Sequence, residues 1–382
     1  MKKVAIGQAG GPTAVINATL AGFVEEVLQD HSLLFIQNGY EGLTKGLFLD
    51  GNGAALEQIR LHHQVPGACL GSGRFPLTDE NIEKGVRKLK EQNVDALVFI
   101  GGNGTMEALL KVEQEARRQN FQLQVIGLPK TVDNDLGETD HAPGFGSSAR
   151  YVAQATRDMS RDLASMKNFE QIRVLETMGR NAGWLAAASG LLQQYEEEGP
   201  HFIALPERLM RKEELIASVD DALTRFGHAT VVMSEGVEWS DGKQVQKGIV
   251  DGRKVLGGIS KEVAKLLETE FGVMTRAELL GMNQRSFSAA ISDIDRKEAY
   301  TVGRVGGQWT REGLSNVMVS IRRQPRRHYA VDMIPVPLQK VVEAGERVMP
   351  EQFIQNRKLY YDWLQPLIGE EITAYPRPIK GD

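Results

Sequence analysis

A single cysteine, Cys69, excludes an intramolecular disulfide. No apolar run approaches the roughly 20 residues that a membrane-spanning helix needs. Met1-Lys2-Lys3 leads directly into a short strand, not into the apolar core of a signal peptide. The expectation is a cytoplasmic protein with no membrane partner. Positive charge is not in excess. A formal net charge of -5 argues against a general nucleic-acid or anionic-surface binder, so any affinity for phosphate has to be local. His62, His63, His141 and His201 show no metal-ligand spacing and read as surface or loop residues. The chain also lacks a GxGxxG fingerprint and a ribose-binding acid at the matching distance, which excludes a nicotinamide dehydrogenase.

Glycine, in contrast, is abundant: 40 residues, against average usage of about 7%. Many of these glycines fall where a strand meets a helix, where backbone can approach a ligand closely. With 41% hydrophobic residues the chain is too apolar for disorder. Its 382 residues exceed one ordinary core and imply two domains or one enlarged α/β unit.

The most informative stretch is Leu128-Pro129-Lys130-Thr131-Val132-Asp133-Asn134-Asp135-Leu136. It sets a cation, a hydroxyl and two carboxylates side by side, straight after the strand-like run Leu123 to Leu128. Open α/β sheets place ligands at such strand ends. Lys130 can neutralise phosphate charge, Thr131 can orient an oxygen, and Asp133 or Asp135 can accept a proton or hold a metal. The same letters also describe a polar loop whose Asp-Asn-Asp caps a turn.

Strand, glycine loop and helix recur along the chain. Val4-Ala5-Ile6 runs into Gly7 to Thr13 and a helix from Ala14 to Gln29; Ser32 to Gln37 is a second strand. Leu70 to Pro76 is a further glycine segment holding Arg74, and Asn81 to Gln92 is an amphipathic helix. Ala96 to Ile100, continuously apolar, suits a strand buried on both faces. It runs into Gly101-Gly102-Asn103-Gly104-Thr105 and a helix from Met106 to Gln119. The second half follows the same pattern, with Ile172 to Glu176, Met178-Gly179-Arg180 and a helix Trp184 to Gln194; then His201 to Leu205; then Ala229 to Met233 and Ser234-Glu235-Gly236. Trp239 to Gly252 reads as a hairpin or loop, and a final helix spans Pro350 to Leu367. Arg157, Arg161 and the Arg322-Arg323 pair read as solvated or interface residues. Alternating strands and helices predict a doubly wound, parallel-rich sheet in each half.

Taken together, Gly10-Gly11 with Asn17, Gly101 to Thr105, Pro129-Lys130-Thr131-Val132-Asp133-Asn134-Asp135, Met178-Gly179-Arg180, Ser234-Glu235-Gly236 and Gln284-Arg285 resemble the phosphofructokinase family in order and spacing. The resemblance implies a kinase of two Rossmann-like domains that phosphorylates the 1-hydroxyl of fructose 6-phosphate with Mg²⁺, as a homodimer or homotetramer. By position, Asp133 resembles the general base, and Thr131, Asp135 and Lys130 its neighbours. Met178, Gly179, Arg180 and Glu235 resemble substrate contacts, with Arg180 also facing the transferring phosphoryl. Arg276 and Arg285 resemble ligands of the sugar phosphate. Gly11, Arg74, Gly102, Asn103, Gly104 and Thr105 resemble the donor-phosphate cradle, with Asn103 also at the metal. The donor domain is expected over 1–143 plus about 285–330, the sugar domain over 144–284 plus the C-terminal part.

The chain departs from the family pattern in four respects. Asn103 stands where ATP users carry a magnesium-binding aspartate. Gly104 matches ATP users, whereas pyrophosphate users place there an aspartate that repels the α-phosphate. Lys130 matches pyrophosphate users. Specificity by exclusion disappears with the repelling group, so the expectation is ATP, with pyrophosphate the alternative. Lastly, Gln171 and Met282 replace residues that bear on the acceptor, Gln171 a basic one; Arg173, on the same strand face as Gln171, is a candidate substitute. A lost charge-assisted hydrogen bond is worth about 1.5 to 3 kcal/mol, enough to signal a different sugar phosphate. A non-catalytic homologue is the remaining alternative.

Overall fold

The computed structural model describes residues 1–73, 75–250 and 253–377. They form two compact units, Met1–Ser148 with Arg285–Arg347, and Ala149–Gln284 with Val348 onward. In the first unit, β1 (Lys3–Gln8), β2 (Ser32–Ile36), β3 (Phe48–Asp50), β4 (Ala96–Gly101) and β5 (Gln124–Pro129) join two later strands. The second unit contains β6 (Ile172–Thr177), β7 (Phe202–Ala204), β8 (Ala229–Ser234), the hairpin β9 (Gln246–Val250) and β10 (Arg253–Leu256), and β11 (Thr275–Leu279). The chain then returns to the first unit with β12 (Val317–Arg323) and β13 (Val331–Pro337).

The first sheet has the order β13-β12-β5-β4-β1-β2-β3. Its five inner strands are parallel, and β3 and β13 close the edges antiparallel. Successive side chains of β4 serve opposite faces: Leu97 and Phe99 join one core, Ala96, Val98 and Ile100 the other. Burial on both faces explains the unbroken apolar run. Because β1 pairs with β2 on one side and β4 on the other, the chain winds away in both directions from the β1–β4 boundary. Such a switch point opens a crevice at the strands' C-terminal ends. The second unit's sheet, β11-β6-β8-β7, is parallel throughout.

Helix limits bring three corrections. The helix after β4 begins at Asn103, not Met106, with Gly102 as its cap. Trp184–Ala188 is helical but the expected extension to Gln194 is not; Ser189 Oγ bonds back to the Ala186 carbonyl at 2.6 Å, and Gly190 lies against the Tyr361 hydroxyl. The final helix divides into Glu351–Gln355 and Arg357–Leu364 because Asn356 takes φ -126°, ψ 88° and caps the Leu359 N–H.

Two residues, one read as surface or loop and the other as solvated or interface, turn out to be buried. His141 is 2% exposed, held between Asp140 at 2.8 Å and Glu298 at 2.6 Å. Arg157 is 5% exposed, its guanidinium 3.6 Å from the Tyr375 ring centroid and donating to the Thr373 carbonyl, because the C-terminal segment runs back along helix Phe145–Ser165. Neither long-range contact leaves a periodic signal in sequence.

In the first unit, helix Ile16–Val27 packs on helix Asp293–Glu312 through glycine. A Cβ on Gly303 would lie 2.7 Å from the Phe23 nitrogen and closer still to the Thr19 carbonyl. Both neighbours are backbone and neither can rotate away. Gly303→Ala is expected to destabilise the protein by about 1 to 3 kcal/mol through overpacking, read as a lower urea midpoint.

Candidate active site

At the switch point of the first unit, three loops meet. The β1 loop carries Gly10, at φ +75°, and Gly11. A Cβ on Gly11 would come within 2.6 Å of Arg285 Nη1, so glycine there lets a guanidinium approach the backbone. Gln8 and Asn17 fasten this loop to the next. Gln8 Nε2 donates to Asn17 Oδ1 at 3.0 Å, and the backbone N–H groups of Leu70 and Cys69 donate to Gln8 and Asn17. Ser72 Oγ donates to the Gly10 carbonyl at 2.6 Å. Arg74, expected nearby, lies outside the described residues.

The β4 loop puts Gly102, Asn103, Gly104 and Thr105 at the amino end of helix Asn103–Arg118. The first-turn N–H groups of a helix, together with its dipole, favour an anion. Gly104 is exposed and presents no side chain, whereas Thr105 is 4% exposed and packs under Gly101. Asn103 Nδ2 donates to the Asp135 carbonyl at 2.8 Å, and Asn103 Oδ1 is buried with no partner among the described residues. A buried amide oxygen lacking a donor suits a hard cation that accepts oxygen ligands. Among the described residues no three His, Cys, Asp or Glu side chains gather as a metal cage, so a cation here needs oxygens from its ligand as well.

The third loop follows β5. Lys130 is 4% exposed, and its Nζ donates to the Gly11 carbonyl at 2.6 Å. Burial lowers its pKa, the Asp133 and Asp135 carboxylates partly oppose that, and Arg285 adds to it; the result is about 8. Thr131 Oγ1 donates to Asp135 Oδ1 at 3.0 Å and accepts the Asp133 N–H at 3.2 Å. The loop is thereby folded on itself around the two carboxylates. Asn134, at φ +53° and fully buried, accepts the Ala142 N–H.

Residues that sequence reasoning missed hold this loop from outside. The Arg347 N–H donates to the Asp135 carbonyl at 2.7 Å. Asp295 accepts the Gly144 N–H at 2.8 Å and the Ser147 N–H at 2.9 Å, and Gly144 bridges to Thr131. Glu298 grips His141, whose pKa rises to about 9 because Glu298 and Asp140 outweigh the burial that disfavours its charge. Acidic residues on a long helix look like solvated charge, so nothing local marked Asp295 or Glu298.

In the second unit, β6 runs into Met178, Gly179 at φ +143° and Arg180 at φ +50°. The Met178 N–H donates to Gln284 Oε1 at 3.0 Å, and the Glu235 N–H to the Thr177 carbonyl at 2.9 Å. The loops after β6 and β8 are thus joined at their roots. Arg180 is exposed and Glu235 half-buried. Arg276, on β11, pairs with Glu170 at 3.0 Å. Arg173 does not replace a basic residue at 171: it is 7% exposed and bonded to Glu170 and Asp162.

Comparison with known proteins agrees with this architecture. The sequence profile of the phosphofructokinase family matches residues 3–305. A sulfofructose kinase of Alkalicoccus urumqiensis is 44% identical over 366 residues, 96% of this chain and 95% of that protein. A pyrophosphate–fructose 6-phosphate 1-phosphotransferase of Xanthomonas campestris pv. campestris (strain B100) is 35% identical, over 91% of this chain and 86% of that protein. The crystal structure of a pyrophosphate-dependent phosphofructokinase from Nitrosospira multiformis superposes with a TM-score of 0.85 at 30% identity, over 100% and 99% of the two chains.

Lys130 gives the site a pH dependence of definite sign. Below about pH 8 the ammonium would attract a phosphate set beside it; above that pH the amine would not. Pyrophosphate binding, followed by calorimetry, is expected to weaken as pH rises through about 8. Lys130→Met is expected to bind weakly throughout and to lose that inflection.

Proposed function

The chain belongs to the phosphofructokinase family, a family of phosphotransferases, and from that premise we propose that it transfers the terminal phosphoryl group of ATP to the C1 hydroxyl of sulfofructose. In this reading the first unit receives the donor. The helix N-terminus at Asn103 and the Lys130 ammonium meet the phosphates; Arg285, which the family resemblance implies as a ligand of the acceptor's anionic end, lies beside Gly11 and in this reading serves the donor as a second cation instead. Asn103 Oδ1 and Asp135 would hold Mg²⁺, which when bound neutralises phosphate charge. Asp133 takes the proton from the acceptor hydroxyl; the oxygen then bonds to the terminal phosphorus as the bond to the bridging oxygen breaks and ADP leaves. Thr131, donating to Asp135 and accepting the Asp133 N–H, keeps the base in place. Such transfer asks a protein for positioning and charge compensation rather than covalent chemistry.

The second unit receives the acceptor: Met178, Gly179, Arg180 and Glu235 along the sugar, and Arg276 at its anionic end. The observation that carries the acceptor is Gln171. It is uncharged where the family resemblance implies a basic residue, and its amide is committed to the Lys167 carbonyl at 2.6 Å. With one cation fewer, the site suits the single charge of a sulfonate better than the nearly double charge of a phosphate ester. The 44% identity to a protein named sulfofructose kinase supports the same acceptor.

Gly104 supports ATP, since an exposed position without a side chain puts nothing in the way of an α-phosphate. Pyrophosphate is the second reading, favoured by Lys130 and by the relative from Xanthomonas.

Purified protein with Mg²⁺ should be offered ATP or pyrophosphate against sulfofructose or fructose 6-phosphate. Turnover is expected to be highest with ATP and sulfofructose; a clear preference for fructose 6-phosphate, or for pyrophosphate, would sink the corresponding half of the proposal. Asp133→Asn is expected to leave acceptor binding nearly intact while turnover falls by about two orders of magnitude or more. Undiminished turnover in that variant would remove Asp133 as the base.

A further inference from the structure

We propose that Glu170 sets the charge preference for the acceptor's anionic end, acting as a positioning and charge-damping residue behind Arg276. The inference rests on the assignment of Arg276 to that end.

Arg173 and Arg276 are register partners on neighbouring strands β6 and β11, which brings two guanidinium groups side by side. Glu170 lies at the junction and is 3% exposed. Its Oε1 accepts from Arg173 Nε at 2.9 Å, and its Oε2 is 3.0 Å from Arg276 Nε. Arg173 is further committed to Asp162 at 2.7 Å and to the Met159 carbonyl at 3.0 Å, so its charge is spent inside the unit. Arg276 is different. Its side chain is 51% exposed, and Glu170 is its one anionic partner among the described residues. Two guanidinium charges therefore face two carboxylate charges, and the cluster is neutral. Gln171 adds none.

A sulfonate carries one negative charge near neutral pH, whereas a phosphate monoester approaches two because its second pKa is about 6. Arg276 can offer its outer N–H groups to the oxygens of either anion. Glu170 behind it repels both, and repels the dianion about twice as strongly. Discrimination then comes from charge withheld, not from a contact added, which is specificity by an unfavourable element. A carboxylate needed only to separate two arginines would stabilise the fold without altering the ratio of monoanion to dianion affinity.

The test is calorimetric titration of the full-length protein, without donor, using sulfofructose and fructose 6-phosphate. Glu170→Gln is expected to improve fructose 6-phosphate affinity relative to sulfofructose by about threefold to tenfold. Glu170→Asp, which keeps the charge, is expected to stay close to the wild-type ratio. Gln171→Arg adds a cation at the position next to Glu170 in the chain and leaves that carboxylate in place. It is expected to move the ratio in the same direction, and it decides the matter if Glu170→Gln does not fold. An unchanged ratio in folded Glu170→Gln, or in Gln171→Arg where that variant fails to fold, overturns the proposal, as does absence of binding of both sugars to the wild type. Wild-type turnover preferring fructose 6-phosphate would instead overturn the acceptor reading, and the ratio shift would still be measured.

Discussion

Much of the first unit follows from one buried cation. An ammonium group taken out of water is costly unless it is paired and hydrogen-bonded, and Lys130 is 4% exposed. The Gly11 carbonyl, 2.6 Å away, satisfies one N–H, and Asp133 and Asp135 supply the opposing charge. Those requirements fix the loop. The chain after β5 has to turn back so that both carboxylates lie near the strand end it has just left, and the β1 loop has to bring its Gly11 carbonyl up to the ammonium. The Thr131–Asp135 hydrogen bond and the left-handed Asn134 are the local means of making that turn.

A loop so folded carries like charges close together, and local bonds alone would leave it free to relax. Helix Asp293–Glu312 restrains it from about 150 residues away in sequence: Asp295 takes two N–H groups of the Gly144–Ser147 turn, and Glu298 binds His141. That helix can lie close enough only because Gly303 and Gly307 let it approach helix Ile16–Val27, which is itself attached to the β1 loop. Packing, loop geometry and the charge state of Lys130 are therefore parts of one constraint.

This chain of dependence explains what was legible in the sequence. The apolar strands, their parallel order and the strand-end loops were readable because periodicity and glycine spacing are local signals: Ala96 to Ile100 could be recognised as a strand covered on both faces without knowing what covered it. The same holds for the cluster from Lys130 to Asp135, whose chemistry is contiguous. His141, Arg157, Asp295 and Glu298 were misread or missed because each acquires its environment from a segment far away in sequence. The helix from Trp184 was overextended for a related reason. Its apolar run continues past Ala188, but Ser189 bonds back to the Ala186 carbonyl and the Tyr361 hydroxyl lies against Gly190.

The second unit makes the complementary point about charge. Two-residue spacing in a strand-like run pointed to Arg173 as a replacement for the basic residue lost at 171, since such residues share a strand face. The structure does not leave Arg173 available for that part, because Glu170 and Asp162 claim its guanidinium. What an anion meets is the charge left over after such pairing, and around β6 and β11 little is left. A family that varies its donor and acceptor on one scaffold need not rebuild its loops to do so. On the proposed reading, moving a carboxylate behind an arginine would alter the field around β11, while the first unit's loop keeps the backbone that its buried lysine requires.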